Sequence, residues 1–220
     1  MKNTVLITGG TKGIGLAIAE DLSKDYEVIT VGRSKNATEQ GDLCDVDFRD
    51  YLVKKYTPDI FVNNAAALHH DPYKMLEANG NVPVDMCLKF YEKMSQGIII
   101  NMSSQSAERH VRPKEALNKS LYALGKRFLK DVSLGLNYSK NKPIKVMCVS
   151  PGATDTPMLR YITDFKPGKE QYENFDWNES IAWAKPEEVA AIVRWLISLP
   201  PHICIPELVI DNHYSKVLYW

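Results

Sequence analysis

Thr8-Gly9-Gly10-Thr11-Lys12-Gly13-Ile14-Gly15 closes a short β-branched run, Thr4 to Thr8, and opens directly into an amphipathic stretch from Gly13 to Lys24. A strand that passes through a glycine-rich turn into a helix leaves free N–H groups and a favourable dipole where a phosphate can sit. The glycines meet three needs: positive φ in the turn, close approach of the backbone to a pyrophosphate, and tight packing of helix on strand. The spacing, G-x-x-x-G-x-G, is not the common G-x-G-x-x-G fingerprint, and no Gly-Lys-Ser or Gly-Lys-Thr completes a triphosphatase loop. Its place between a first strand and a first helix is what argues for dinucleotide binding, with Gly9, Thr11, Lys12, Gly13, Ile14 and Gly15 as candidate contacts.

Outward from this turn, short β-branched runs alternate with amphipathic stretches, the pattern of a parallel sheet covered by helices. The runs are Thr4 to Thr8, Val28 to Val31, Ile60 to Val62, Ile98 to Asn101 and Lys145 to Val149, with Glu207 to Ile210 closing the sheet. Helices are expected over Gly13 to Lys24, Val46 to Lys55, Pro72 to Met94, Lys119 to Ser139 and Pro186 to Leu199. Too few residues separate Val31 from a strand at Glu39 to Asp42 for the usual crossover helix, so an irregular loop is expected there. The fold class is α/β, a doubly wound parallel sheet, as one domain over residues 1–220; the aromatic, loop-rich stretch at about 155–184 reads as an insert over the sheet.

Composition narrows the partners. In 220 residues, Lys plus Arg and Asp plus Glu each number 27, so no net basic field exists to hold nucleic acid or an acidic membrane. A small-molecule partner is expected. Cys44, Cys87, Cys148 and Cys204 stand singly and match no zinc spacing, which suggests reduced, mostly buried thiols. His69, His70 and Asp71 are ligand types, but adjacent histidines in an extended loop point apart, so no metal is expected. The apolar run near the N-terminus is too brief for a leader or a membrane span, and a cytoplasmic location is the expectation.

After the second run comes Gly32-Arg33-Ser34, where NAD-preferring folds place an acid against the ribose 2′-hydroxyl. Arg33 could instead receive a 2′-phosphate bidentately, with Ser34 as a further donor and Lys12 as a second charge. NADP(H) is therefore expected in preference to NAD(H).

Tyr122 and Lys126 are four residues apart in a predicted helix and so share one face. A cation beside a phenol favours phenolate and makes Tyr122 a candidate general acid/base. With the glycine turn, the pair makes the chain resemble the short-chain dehydrogenase/reductase family. Its TGxxxGxG is matched by the turn, its NNAG by Asn63-Asn64-Ala65-Ala66 with Ala66 for glycine, and its N-x-S-S by Asn101-Met102-Ser103-Ser104. Its PG-x-x-x-T is matched by Pro151-Gly152-Ala153-Thr154-Asp155-Thr156, and Asn79-Gly80-Asn81-Val82-Pro83 resembles the segment carrying the family's catalytic Asn.

The resemblance implies hydride exchange between NADP(H) and a carbonyl or alcohol. Tyr122 would pass the proton at the substrate oxygen, Lys126 would lower its pKa and hold the nicotinamide ribose, and Ser104 would polarise the carbonyl. Asn79 would anchor a water through its backbone in a proton relay. Asn63, Asn64 and Ala65 would line the cofactor, Pro151, Gly152, Thr154 and Thr156 would border the nicotinamide, and Asp42 and Leu43 would meet the adenine. A homodimer or homotetramer built on the helices around Asn79 and Tyr122 is implied as well. The pocket rim departs from the family: Glu108-Arg109-His110-Val111-Arg112 is a charged insertion, and the substrate does not transfer. Tyr161, Phe165, Tyr172, Phe175, Trp177 and Trp183 either pack as core or partner surface or line an apolar substrate site. A catalytically silent NADP(H)-binding sensor or scaffold on the same fold is the alternative, since fold alone does not dictate chemistry.

Overall fold

Along the first strand, successive side chains point to opposite faces, so Val5 and Ile7 enter one apolar layer and Leu6 the other, all three wholly buried. The computed structural model describes residues 2–108, 117–162 and 183–211. It contains β1 (Thr4–Thr8), β2 (Glu27–Gly32), β3 (Glu39–Gln40), β4 (Ile60–Asn63), β5 (Gly97–Met102), β6 (Ile144–Pro151) and β7 (Glu207–Ile210). They form one sheet, parallel throughout, in the order β3-β2-β1-β4-β5-β6-β7. The expected doubly wound class is the one found.

Helices cover both faces. On one side α1 (Gly13–Leu22) and α7 (Pro186–Ser198), the helix that follows α6 (Pro157–Ile162) in the described residues, bring Ile18, Leu22, Val189, Val193 and Leu196 against Val5, Ile7, Val62, Ile100 and Met147. On the other, α2 (Val46–Lys55), α4 (Val82–Lys93) and α5 (Leu117–Ser139) bring Leu52, Phe90 and Leu129 against Leu6, Phe61, Ile99 and Val146. Each such side chain contributes about 1.5–3 kcal/mol on leaving water. Arg194 of α7 ties the first layer together by pairing with Asp21 and Asp25 at the end of α1, both at 2.6 Å.

The crossover from β2 to β3 carries no helix, as its length demands. Thr30 and Thr38 bridge it, the Thr30 N–H donating to Thr38 Oγ1 at 3.2 Å and the Thr38 N–H to Thr30 Oγ1 at 3.0 Å. The strand expected to reach Asp42 stops at Gln40, because Asp42 turns its carboxylate back onto the Cys44 N–H at 2.9 Å.

The helix expected over Pro72 to Met94 is in fact α3 (Pro72–Leu76), a π turn (Glu77–Asn81) and then α4. Pro83 is the cause: it has no N–H for the carbonyl of Asn79 four residues back, so the α ladder cannot pass through. The widened turn falls at Asn79, inside the expected site.

From β1 the chain runs outward to β2 and β3, then returns to the opposite side of β1 as β4. At that reversal the connections beyond the C-terminal ends of β1 and β4 diverge, and a crevice opens where doubly wound sheets bind ligands. No helix among the described residues is long and apolar enough to cross a membrane.

Candidate active site

At the C-terminal end of β1 the backbone turns through Gly9 (φ 67°) and Gly13 (φ 57°), both in the left-handed region that favours glycine. A Cβ on Gly15 would lie 2.2 Å from the Gly9 carbonyl oxygen, so only glycine lets α1 start this close to the turn. Lys12, the residue before α1, makes no side-chain cap hydrogen bond. The first-turn N–H groups are thus not taken up by a side-chain cap, and they face the crevice with the positive end of the helix dipole. These features fit a pyrophosphate.

Thr8 was not among the expected contacts, yet it locks the turn to its neighbour. Its buried hydroxyl accepts from the N–H of Asn64 at 2.9 Å and of Ala65 at 3.0 Å. Asn64 Nδ2 donates in return to the Thr8 carbonyl at 3.0 Å. Asn63 has a different part from the one expected. Both its amide hydrogens are spent, on the Pro83 carbonyl at 2.7 Å and on Asn101 Oδ1 at 2.9 Å, so it couples β4 to α4 and β5 and has no donor left for a cofactor.

Beyond β2, the Thr11 hydroxyl donates to Ser34 Oγ at 3.2 Å, and the Arg33 guanidinium stands 4.0 Å from the Asp42 carboxylate. Both ends of that pair are more than half exposed, so it is a loose contact in water. Leu43 is held from below: Arg49, a buried arginine that sequence reasoning missed, donates to its carbonyl at 2.6 Å and pairs with Asp85 at 2.6 Å. The structure thus gathers Thr11, Arg33, Ser34, Asp42 and Leu43 along one rim.

Tyr122 and Lys126 lie on α5, where Gly125 presses against the π turn. A Cβ on Gly125 would be 3.0 Å from both the Asn79 carbonyl carbon and the Gly80 nitrogen. Asn79 is itself fully buried, its Oδ1 accepting from the Ala67 N–H at 3.1 Å and its Nδ2 donating to the carbonyls of Ala67 at 2.7 Å and Met75 at 2.8 Å. The side chain is structural, which leaves only the backbone of Asn79 for the relay expected of it.

Lys126 is buried and donates through Nζ to the Met102 carbonyl at 2.8 Å, while the Ser103 hydroxyl donates to the Lys126 carbonyl at 2.9 Å. The ammonium lies 5.9 Å from the centre of the Tyr122 ring. Burial lowers Lys126 to about 8. Burial also pushes the Tyr122 phenol up, and the hydrogen bond from Ser104 opposes the rise. In the chain by itself the phenol therefore stands above its ordinary value, not below it as the Tyr–Lys spacing suggested. Desolvation is the larger effect on both groups, and at Tyr122 it outweighs the hydrogen bond from Ser104.

Across the crevice, Gly152 donates to the Ile210 carbonyl at 2.8 Å, and the Thr154 hydroxyl donates to the Gly152 carbonyl at 3.1 Å. Thr156 closes on the glycine turn, its Cγ2 lying 3.3 Å from where a Cβ on Gly13 would be. The ends of the 155–184 stretch are tied by a parallel bridge between Thr154 and Ala184. Tyr161 is exposed and Trp183 buried. Phe165, Tyr172, Phe175 and Trp177 lie outside the described residues, as do Arg109, His110, Val111 and Arg112 of the charged insertion.

Two of the four free cysteines, Cys87 and Cys148, are buried, and burial pushes them up to about 11 and about 12, which keeps them as thiols. Cys44 is exposed, contrary to the expectation of mostly buried thiols. Asp71, next to the paired histidines, caps α3 by accepting from the N–H groups of Tyr73 and Lys74 at 2.8 and 3.0 Å.

Comparison with known proteins agrees with the fold. A family model described as Enoyl-(Acyl carrier protein) reductase matches residues 47–200. Dehydrogenase/reductase SDR family member 11 of Bos taurus is 26% identical over 244 residues, spanning 92% of this chain and 93% of that protein. Serine 3-dehydrogenase of Rhizobium radiobacter is 27% identical over 242 residues, spanning 94% and 93%. A solved structure of ElxO with NADP bound superposes with a TM-score of 0.74 at 26% identity, covering 97% of this chain and 99% of that one. With a matched region well over half its length and relatives aligned along nearly all of it, the chain belongs to the short-chain dehydrogenase/reductase family of oxidoreductases.

Proposed function

We propose that this chain is an NADP(H)-dependent oxidoreductase that interconverts a ketone or aldehyde with the corresponding alcohol, as one catalytic unit over residues 1–220 with the 155–184 stretch over the substrate. The observation that carries the reading is the meeting of Ser104 with the Tyr122 phenol, one helical turn from the buried Lys126, at the C-terminal end of β5.

NADPH, when bound, supplies the hydride that reaches the carbonyl carbon. Tyr122 gives its phenolic proton to the carbonyl oxygen, and Ser104 donates a hydrogen bond to that oxygen as negative charge gathers on it. Lys126, lowered only to about 8, still carries its proton at neutral pH and compensates the phenolate left behind. Oxidation runs the same steps backwards, Tyr122 taking the proton. Water is kept from the reacting centre by the burial of Lys126 and Asn79.

Gly9, Gly13, Ile14 and Gly15 would hold the pyrophosphate, while Arg33, Ser34, Thr11 and Lys12 would receive the 2′-phosphate. The ElxO structure with NADP bound supports that choice. Asn64, Ala65, Pro151, Gly152, Thr154 and Thr156 would border the rest of the cofactor. Leu88 on α4 and Leu124 and Phe128 on α5 are exposed apolar side chains on the two helices proposed to build a homodimer or homotetramer.

The test is a spectral titration with NADPH and NADH, followed by a carbonyl panel monitored through NADPH consumption. Tighter NADPH binding and turnover are expected. Binding without consumption across the panel would favour the sensor or scaffold.

A further inference from the structure

The turn that follows Ser104 is held from three sides. Gln105–Glu108 form a 3-10 turn in which the Ala107 N–H donates to the Ser104 carbonyl at 2.9 Å, and Ala107 is wholly buried. From α5, Arg127 donates to the Ala107 carbonyl at 2.8 Å, and Lys130 pairs with Glu108 at 2.5 Å and with Glu207 of β7 at 3.1 Å. Glu108 also accepts from the Ser150 hydroxyl at 3.4 Å. The helix that supplies Tyr122 thus also fixes the turn beside it.

Ser106 sits in this turn with two donors aimed at one atom. Its N–H lies 3.2 Å and its hydroxyl 2.9 Å from Ser104 Oγ. A serine hydroxyl has two lone-pair positions and one hydrogen to give. With both lone pairs engaged by Ser106, Ser104 is left as a donor, and a hydroxyl that accepts hydrogen bonds donates a stronger one. The partner of that donation in the chain by itself is Tyr122.

We propose that Ser106 is a positioning residue: by donating twice to Ser104 Oγ it fixes the Ser104 rotor and directs its hydrogen to the substrate oxygen. The proposal rests on the carbonyl–alcohol reading, in which Ser104 polarises the carbonyl. The neighbouring polar side chains of the turn are engaged elsewhere, Gln105 with Asp211 and Glu108 with Lys130.

The test uses the full chain, NADPH and the best carbonyl of the panel. Ser106→Ala keeps the backbone N–H and should lower kcat about tenfold, one hydrogen bond's worth, with KM for NADPH and Tm unchanged. Ser106→Thr keeps the hydroxyl and should restore most of the rate. In a Ser104→Ala background, Ser106→Ala should cost nothing further, because its effect passes through Ser104. An equal loss in both backgrounds, the mark of a merely structural role, would overturn the proposal. Crystal structures give a second measurement that needs no turnover: Ser104 should hold one rotamer in the wild type and spread over two or more in Ser106→Ala. A single, unchanged Ser104 rotamer in that variant would overturn the proposal whatever the activity. Absence of carbonyl turnover in the wild type would instead remove the functional reading, and the rotamers would still decide the role of Ser106.

Discussion

Lys126 gives its ammonium to the Met102 carbonyl at 2.8 Å, so the charge at the centre of the site is anchored to the strand that leads into Ser104. This contact compensates part of the cost of burying a lysine, but burial still dominates its titration. The proton balance of the site therefore depends on desolvation as much as on the spacing of Tyr122 and Lys126.

That balance predicts a pH dependence of stability. Burial lowers Lys126 from 10.5 to about 8 in the folded chain, so between those values the unfolded chain holds a proton that the folded chain has released. Stability gains with rising pH across this window, whereas below about pH 8 both states are protonated and the burial cost is fully felt. The stability difference between wild type and Lys126→Met should grow in favour of wild type by roughly 3 kcal/mol across the window. Denaturant unfolding at a series of pH values measures it, and a flat difference would contradict the buried ammonium.

Tyr122→Phe keeps the ring and removes the hydroxyl. Turnover should fall about 10²- to 10⁴-fold while NADPH affinity stays nearly unchanged. Lys126→Met should damage both, because the lysine is also expected at the nicotinamide ribose. Near-normal turnover of Tyr122→Phe on a good carbonyl would assign the proton to another group.

Arg33→Asp replaces the cation at the end of β2 with the acid that NAD-preferring folds carry there. The preference for NADPH over NADH should be erased or reversed, a change of about 10- to 100-fold in relative affinity from the loss of charged hydrogen bonds. Fluorescence titration of both cofactors measures it; equal wild-type affinities would sink the idea.

Gly125→Ala and Gly135→Ala, both on α5, should move in opposite directions. At Gly125 the new methyl meets backbone of Asn79 and Gly80 at 3.0 Å, which cannot swing aside, so about 1–3 kcal/mol of stability should be lost and kcat should fall with it. At Gly135 nothing lies within 4 Å, and the higher helix propensity of alanine should add up to about 1 kcal/mol. Thermal unfolding of the two variants separates the cases.

Pro83 shows where local reading stops short. The periodicity from Pro72 to Met94 is helical throughout, and the break at Glu77–Asn81 follows from a proline that was visible in the chain but outweighed by the pattern around it. Asn63 shows the converse. Its motif suggests a cofactor contact, but its amide is consumed by Pro83 and Asn101, residues 20 and 38 positions away. Ser106 and Arg49 carry no motif at all, because their partners are set by folding and their residue types are common on any surface.

The sequence by itself determined the α/β class, the glycine turn, the helix-free crossover after β2 and the pairing of Tyr122 with Lys126, since each depends on residues a few positions apart and on backbone rules that act locally. Only the tertiary structure decided that Lys126 is buried against Met102, that burial holds the Tyr122 phenol up, and that Ser106 donates twice to Ser104. Desolvation and hydrogen-bond direction depend on which distant elements close over a group, here α5 on β5 and on the turn after Ser104, and the packing of those elements is not written at any one position.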